Sequence, residues 1–205
     1  MHILNEHKLS ENFNKRGITV KMFDTFDEIM QEILSILPAG ASVGIGNSQT
    51  LKQMQMTERL VKCGHMVYDK TFGKNADEII ALKRKSLLTD YYISGANAIS
   101  QEGHIVNIDH SGNRVAALSY GPKHVFIIAG KNKIAPNLMD AIARAKNIAA
   151  PLNAQRAGYH PPCVAAGVCV DCYSEMRVCN VLSIIEGQSD PARMTVFIAD
   201  EDAGF

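Results

Sequence analysis

Apolar residues recur along this chain in two ways, as stripes three and four positions apart and as short unbroken runs. Phe26, Ile29, Met30, Ile33, Leu34 and Leu37 share one face of a predicted helix. Thr25 and Glu28 stand ahead of it in the T-x-x-E pattern of a capping box, and Pro38 and Gly40 close it. A second stripe runs through Leu138, Ala141, Ile142, Ala145, Ile148 and Ala149, with Pro151 expected to stop it. Weaker stripes predict helices over residues 3–16, ended by Gly17, and from near Ser48 to about Lys62. A further helix is expected to start at Asn75 or Asp77 and to carry Ile79, Ile80, Leu82 and Leu87.

The runs Ile18–Phe23, Ala41–Ile45, His65–Tyr68, Tyr91–Ser94 and Val125–Ala129 read as strands, as do the later Val181–Ile185 and Thr195–Ala199. Between the fourth and fifth of these, His104–Asp109 alternates polar and apolar. Strands alternating with helices predict an α/β fold with a largely parallel sheet flanked by helices. No repeat, low-complexity tract or linker interrupts the pattern, so residues 1–205 read as one domain. Residues 152–180 show no period and are rich in proline, glycine and cysteine. Long stretches of that kind inside a compact domain are commonly functional.

Composition narrows the function classes. The chain of 205 residues is long enough for a large core, and its 46% hydrophobic content excludes disorder. Basic and acidic residues number 21 each, and this zero net charge argues against nonspecific nucleic-acid or membrane-surface binding. No run approaches the ~18 apolar residues that span a bilayer. The polar stretch Met1–Arg16 lacks the apolar region of a signal peptide, so a cytoplasmic location is expected.

Two loops and one cysteine segment carry candidate chemistry. In Ala41–Leu51 a strand runs through a glycine-rich turn into a helix start. Gly44, Gly46, Asn47, Ser48 and Thr50 read either as an anion cradle or as an ordinary turn with a helix cap. The stretch Ser94–Ile134 places Asn97, Asn107, Asp109, Asn113, Arg114 and Lys133 near strand ends, where α/β sheets bind ligands. Arg114 can grip a carboxylate or phosphate with two parallel hydrogen bonds, and Lys133 adds a point charge. The competing reading makes Asp109 and Arg114 a structural ion pair and the asparagines turn residues. Cys163, Cys169, Cys172 and Cys179 lie in one irregular segment, the middle pair as C-x-x-C. Four thiolates suit zinc or an iron–sulfur cluster; reduced thiols, with one reversible Cys169–Cys172 disulfide, are the alternative.

The segments GANAI (Gly95–Ile99), EGHIVNID (Glu102–Asp109), GNRVAAL (Gly112–Leu118), YGP (Tyr120–Pro122) and AGKNKI (Ala129–Ile134) give the chain a recognisable character. With GIGNS (Gly44–Ser48) and the cysteine region, they resemble the LUD-domain family, lactate-utilisation proteins of the C type. That resemblance implies a fold related to ribose-5-phosphate isomerase, glucosamine-6-phosphate deaminase and coenzyme A transferases (the NagB/RpiA/CoA transferase-like class). It also implies a place in oxidising lactate to pyruvate beside iron–sulfur partner proteins. Because coenzyme A transferases use a glutamate nucleophile, Glu102 before Gly103 is a catalytic candidate, with a solvated turn glutamate as the alternative.

The leading expectation is a component of lactate or related organic-acid oxidation that binds a small anionic or phosphate-bearing ligand. One alternative is a stand-alone enzyme acting on a sugar phosphate or a coenzyme A thioester. The other is a noncatalytic assembly subunit whose cysteine loop docks an iron–sulfur partner. Expected partners are a small anionic metabolite, iron–sulfur redox proteins and further copies of the chain; nucleic acid and membrane insertion are not expected.

Overall fold

A computed structural model describes residues 5–205. Among them ten strands form two sheets. The larger sheet contains β1 (Thr19–Phe23), β2 (Ser42–Ile45), β3 (Met66–Tyr68), β4 (Tyr91–Gly95), β7 (His124–Gly130) and β10 (Met194–Ala199). Their spatial order is β1-β10-β7-β4-β2-β3, and every pairing is parallel. The smaller sheet takes β5 (Ala98–Ser100), β6 (Ile105–Asp109), β8 (Ile134–Ala135) and β9 (Val181–Ile185) in the order β8-β5-β6-β9. Its β5–β6 and β6–β9 pairings are antiparallel, and β5–β8 is parallel. The parallel sheet flanked by helices agrees with the expectation from the sequence; the second sheet was not foreseen.

Local signals explain most helix boundaries. Helix α1 (Glu6–Lys15) has Asn5 as its cap, and Leu9 and Phe13 are its buried residues. Residues 3 and 4 of the helix expected over 3–16 lie outside the described residues. In α2 (Phe26–Ile36) both hydrogen bonds of the Thr25–Glu28 capping box are present. The expected helix from Ser48 to Lys62 is two helices, α3 (Gln49–Gln53) and α4 (Met56–Lys62). Gln55, at φ 52°, separates them, because a left-handed residue cannot continue a right-handed helix. Helix α5 (Ala76–Lys85), capped by Asn75, has no fully buried residue, so its apolar stripe is shallower than the spacing suggested. The short α6 (Asn113–Ser119) was not anticipated.

Pro151 does not stop the helix that precedes it. Helix α7 (Leu138–Arg144) leads through a π-helical turn, Ala145–Ala149, into α8 (Ala150–Arg156), where Pro151 occupies the first turn. The wider turn shifts the hydrogen-bond register at the position where proline lacks an N–H. In the segment expected to be irregular, α8 extends to Arg156 and α9 (Pro162–Ala166) adds one further short helix.

The parallel sheet is buried on both faces. Ile93, Phe126, Ile128 and Phe197 pack against Ile29, Ile33, Met56 and Leu60 of α2 and α4. On the other face Val125, Ile127 and Val196 meet Leu9, Phe13, Leu118 and the inner side chains Ile99, Ile105 and Ile185 of the second sheet. The outer face of that second sheet, through Ala98, Val106 and Ile108, packs on Ala141, Ala145 and Ala150. Alanines at these positions let the helix approach the strands closely, and this docking brings α8 alongside the carboxyl ends of β2, β4 and β7.

Candidate functional site

A polar cleft opens where the larger sheet meets α8 and the second sheet. Asn47, Ser48 and Gln49 reach it from the end of β2, Ala96 and Asn97 from the end of β4, and Lys133 from just beyond β7. Asp109, His110, Ser111, Asn113 and Arg114 enter from the β6–α6 junction. Asn153 and Arg156 come from α8, Lys70 and Lys83 from beside and within α5, and Phe205 from the end of the chain. Crevices beyond the carboxyl ends of parallel strands are where open α/β sheets place ligands.

Arg114 is held by three contacts. Its backbone N–H donates to Asp109 Oδ2 at 2.9 Å, and its Nη2 donates to Asn97 Oδ1 at 2.9 Å and to the Ile108 carbonyl. Asp109 is committed to the backbone: Oδ1 accepts from His110 N–H (2.8 Å), and Oδ2 also accepts from Val115 N–H (3.2 Å). The carboxylate thereby caps α6 and makes no ion pair with the Arg114 guanidinium among the described residues. Burial of this kind of cap satisfies helix N–H groups that would otherwise be orphaned.

Electrostatics set the cleft apart. Lys70, Lys83, Arg114, Lys133 and Arg156 line it, and among the described lining residues Asp109 alone has a carboxylate side chain. None of the five basic groups has a carboxylate partner among the described residues. Lys83 Nζ donates to Ser111 Oγ (3.2 Å), and Arg156 rests on Asn153 Oδ1 (2.8 Å). Burial pulls the Lys70 amine below its usual range, and the nearby charges of Lys83 and Arg156 pull it further. Lys133 is 3% exposed and donates to Thr50 Oγ1 at 2.9 Å. Burial, then the charges of Arg144 and Arg114, lower its pKa to about 7. Like charges are gathered here at a folding cost, and an anion is the ligand that relieves it.

Of the residues expected to bind ligand, Asn47, Ser48, Asn97, Asp109, Asn113, Arg114 and Lys133 line this cleft. Thr50 stands behind Lys133, fully buried. Gly44 does not line it: a Cβ there would strike the Tyr92 ring and the Ser86 carbonyl, so the glycine serves strand packing. Gly46 packs against Ser94 in the same way. Asn107 is fully buried on β6 opposite Ser183, and neither side chain has a hydrogen-bond partner among the described residues. Glu102 lies outside the cleft, where its Oε2 accepts from Leu138 N–H at the start of α7 (2.9 Å). Lys70, Lys83, Asn153 and Arg156 escaped the sequence reading. Only their convergence in space marks them.

Cys163 is buried on α9, while Cys169, Cys172 and Cys179 are partly exposed. Burial and the neighbouring Cys172, Cys179 and Cys169 thiols push the Cys163 thiol up, so the four share one neighbourhood. Yet no three His, Cys, Asp or Glu side chains among the described residues are arranged to hold a metal ion. The zinc or iron–sulfur site expected at Cys163, Cys169, Cys172 and Cys179 is therefore not supported. Instead Arg177 fastens the loop, donating to the carbonyls of Cys172 (2.9 Å) and Cys179 (3.2 Å). No helix among the described residues is long and apolar enough to cross a membrane.

Comparison with known proteins agrees with the architecture. A crystal structure of a DUF162-family protein from Deinococcus radiodurans superposes with a TM-score of 0.55 at 15% identity, covering 94% of each chain. That likeness establishes the fold. No curated protein matches the chain. The sequence profile of the LUD domain matches residues 7–199, and the chain belongs to the LUD-domain family.

Proposed function

We propose that this protein is a component of lactate or related organic-acid oxidation, of the C type of lactate-utilisation proteins. It binds a small anionic or phosphate-bearing ligand in the cleft and acts in the cytoplasm with redox partner proteins. The observation that carries this reading is the convergence of Lys70, Lys83, Arg114, Lys133 and Arg156 around one opening, where the one carboxylate side chain among the described lining residues, Asp109, is already spent on α6. Membership of the LUD-domain family supports the metabolic setting.

Arg114 supplies the most defined contact. With Nη2 engaged by Asn97 and Ile108, its Nε and Nη1 have no protein partner among the described residues and are left to donate to an incoming anion. Preorganised donors of this kind bind without paying to order a long side chain. A thermal-shift screen of lactate, pyruvate, phosphosugars and coenzyme A esters tests the reading, since a ligand of the native state must raise the melting temperature. A rise with at least one of these anions that disappears in Arg114→Ala is the expected result. No rise with any of them sinks the proposal.

A further inference from the structure

We propose that Lys133 is a nucleophilic amine that condenses with the carbonyl carbon of a small anionic carbonyl compound held in this cleft. The inference rests on the anion-binding reading above and adds the chemical class of the ligand and the residue that meets it.

The geometry distinguishes Lys133 from the other cations. Strand β7 ends at Gly130, where a Cβ would collide with the Glu201 carbonyl, and the 3-10 turn Lys131–Lys133 that follows buries the Lys133 side chain. The side chain is buried, lines the cleft, and has one hydrogen-bond partner among the described residues, the Thr50 hydroxyl. A hydroxyl satisfies an amine but does not balance an ammonium charge. The charges acting on Lys133 have its own sign: Arg114, and Arg144, which donates to the carbonyls of Asn132, Asn97 and Phe205. A buried cation without a counter-ion is expensive, so the neutral amine is favoured. With its pKa lowered to about 7, a large share of Lys133 carries a free lone pair at neutral pH. Desolvation and a neighbouring cation are the means by which lysines become nucleophiles toward carbonyls.

The ligand class follows from these two kinds of group. Arg114 takes the anionic end, a carboxylate or a phosphate, and the amine requires an electrophile close by. The lone pair of Nζ attacks the carbonyl carbon, and the C=O π electrons move to oxygen to give a carbinolamine. Loss of that oxygen with two protons as water leaves a C=N bond. No oxidant or reductant enters this step.

Borohydride, which reduces C=N to a stable C–N bond, provides the test. The whole chain is incubated with pyruvate, with ribose 5-phosphate, or with lactate, which has the anionic group but no carbonyl. Binding is followed in parallel by calorimetry. One reduced adduct per chain, mapped to Lys133, is expected with pyruvate or with ribose 5-phosphate, and the arm that succeeds identifies the anion. No adduct is expected with lactate, or with any arm in Lys133→Met, whose folding is checked by circular dichroism. Adduct yield in the productive arm should rise between about pH 6 and about pH 8, as the amine loses its proton. Adducts scattered over surface lysines, or none while calorimetry shows the cleft saturated with pyruvate or ribose 5-phosphate, overturn the inference and leave the anion-binding reading standing. Failure of all three compounds to bind overturns both.

Discussion

Asn97 Oδ1 accepts two hydrogen bonds, one from Ile108 N–H at 2.8 Å and one from Arg114 Nη2 at 2.9 Å. The first residues beyond β4 thereby fix a strand of the second sheet and the guanidinium on α6 with one amide oxygen. Asn97 also donates its own N–H to the Val106 carbonyl (3.1 Å). Replacing it by alanine leaves the Ile108 N–H without this acceptor and frees Arg114. Asn97→Ala should lower stability by about 1–3 kcal/mol, the cost of orphaning a buried donor. Urea denaturation measures this directly; an unchanged midpoint would remove Asn97 from the supporting structure.

Arg114 itself should dominate affinity. Hydrogen bonds to charged groups contribute ~1.5–3 kcal/mol, so Arg114→Ala is expected to weaken anion binding about tenfold or more. Calorimetry at low and high salt checks it, because cation-lined sites lose affinity as ionic strength rises. Equal affinity in the variant and the parent would mean that the ligand lies elsewhere.

Lys133 gives a pH prediction whose sign can be worked out. Its pKa is about 7 in the folded protein and 10.5 by reference, so burial disfavours the charged form. Below about 7 both states are protonated and the penalty is fully present. Between there and 10.5 the unfolded chain holds more protons, and stability rises with pH. Lys133→Met removes this titration. The stability of the parent relative to the variant should therefore climb with pH across that window, by up to ~1.4 kcal/mol per unit. Chemical denaturation of both proteins at several pH values would reveal it, and parallel curves would contradict it.

Glu102 offers a negative control. Its carboxylate accepts from Leu138 N–H, and a glutamine side-chain oxygen can do the same. Glu102→Gln should bind anions as the parent does and melt at nearly the same temperature. A large loss of ligand binding would place Glu102 in the site after all.

Thr25 tests the best local signal in the sequence. The hydroxyl accepts from Glu28 N–H at 3.2 Å, and Glu28 Oε2 returns to Thr25 N–H at 3.3 Å. Thr25→Ala should cost about 0.5–2 kcal/mol, read from thermal or urea melts, with ligand affinity unchanged.

These cases show where the sequence was informative. The Thr25–Glu28 cap was readable because every participant lies within three positions. Strand ends were readable too, and Asn97, Asp109, Asn113, Arg114 and Lys133 were placed near a site because they follow apolar runs. Spacing misled at Pro151, where a π turn accommodates the proline, and at Gly44, whose missing side chain makes room for Tyr92 rather than for a ligand. The Asp109–Arg114 pair also resolved differently, since Asp109 grips the Arg114 backbone and leaves its guanidinium to Asn97.

Sequence alone therefore determined the alternation of strands and helices, the caps, the family, and which loops sit at strand ends. These depend on neighbours three or four positions apart and on short apolar runs. The tertiary structure decided the composition of the cleft. Lys70, Lys83, Asn153 and Arg156 join Arg114 because α5 and α8 pack near strand ends distant in the chain. Only that packing removes Lys133 from water beside two guanidiniums, and desolvation, which no local pattern records, gives the amine its altered chemistry.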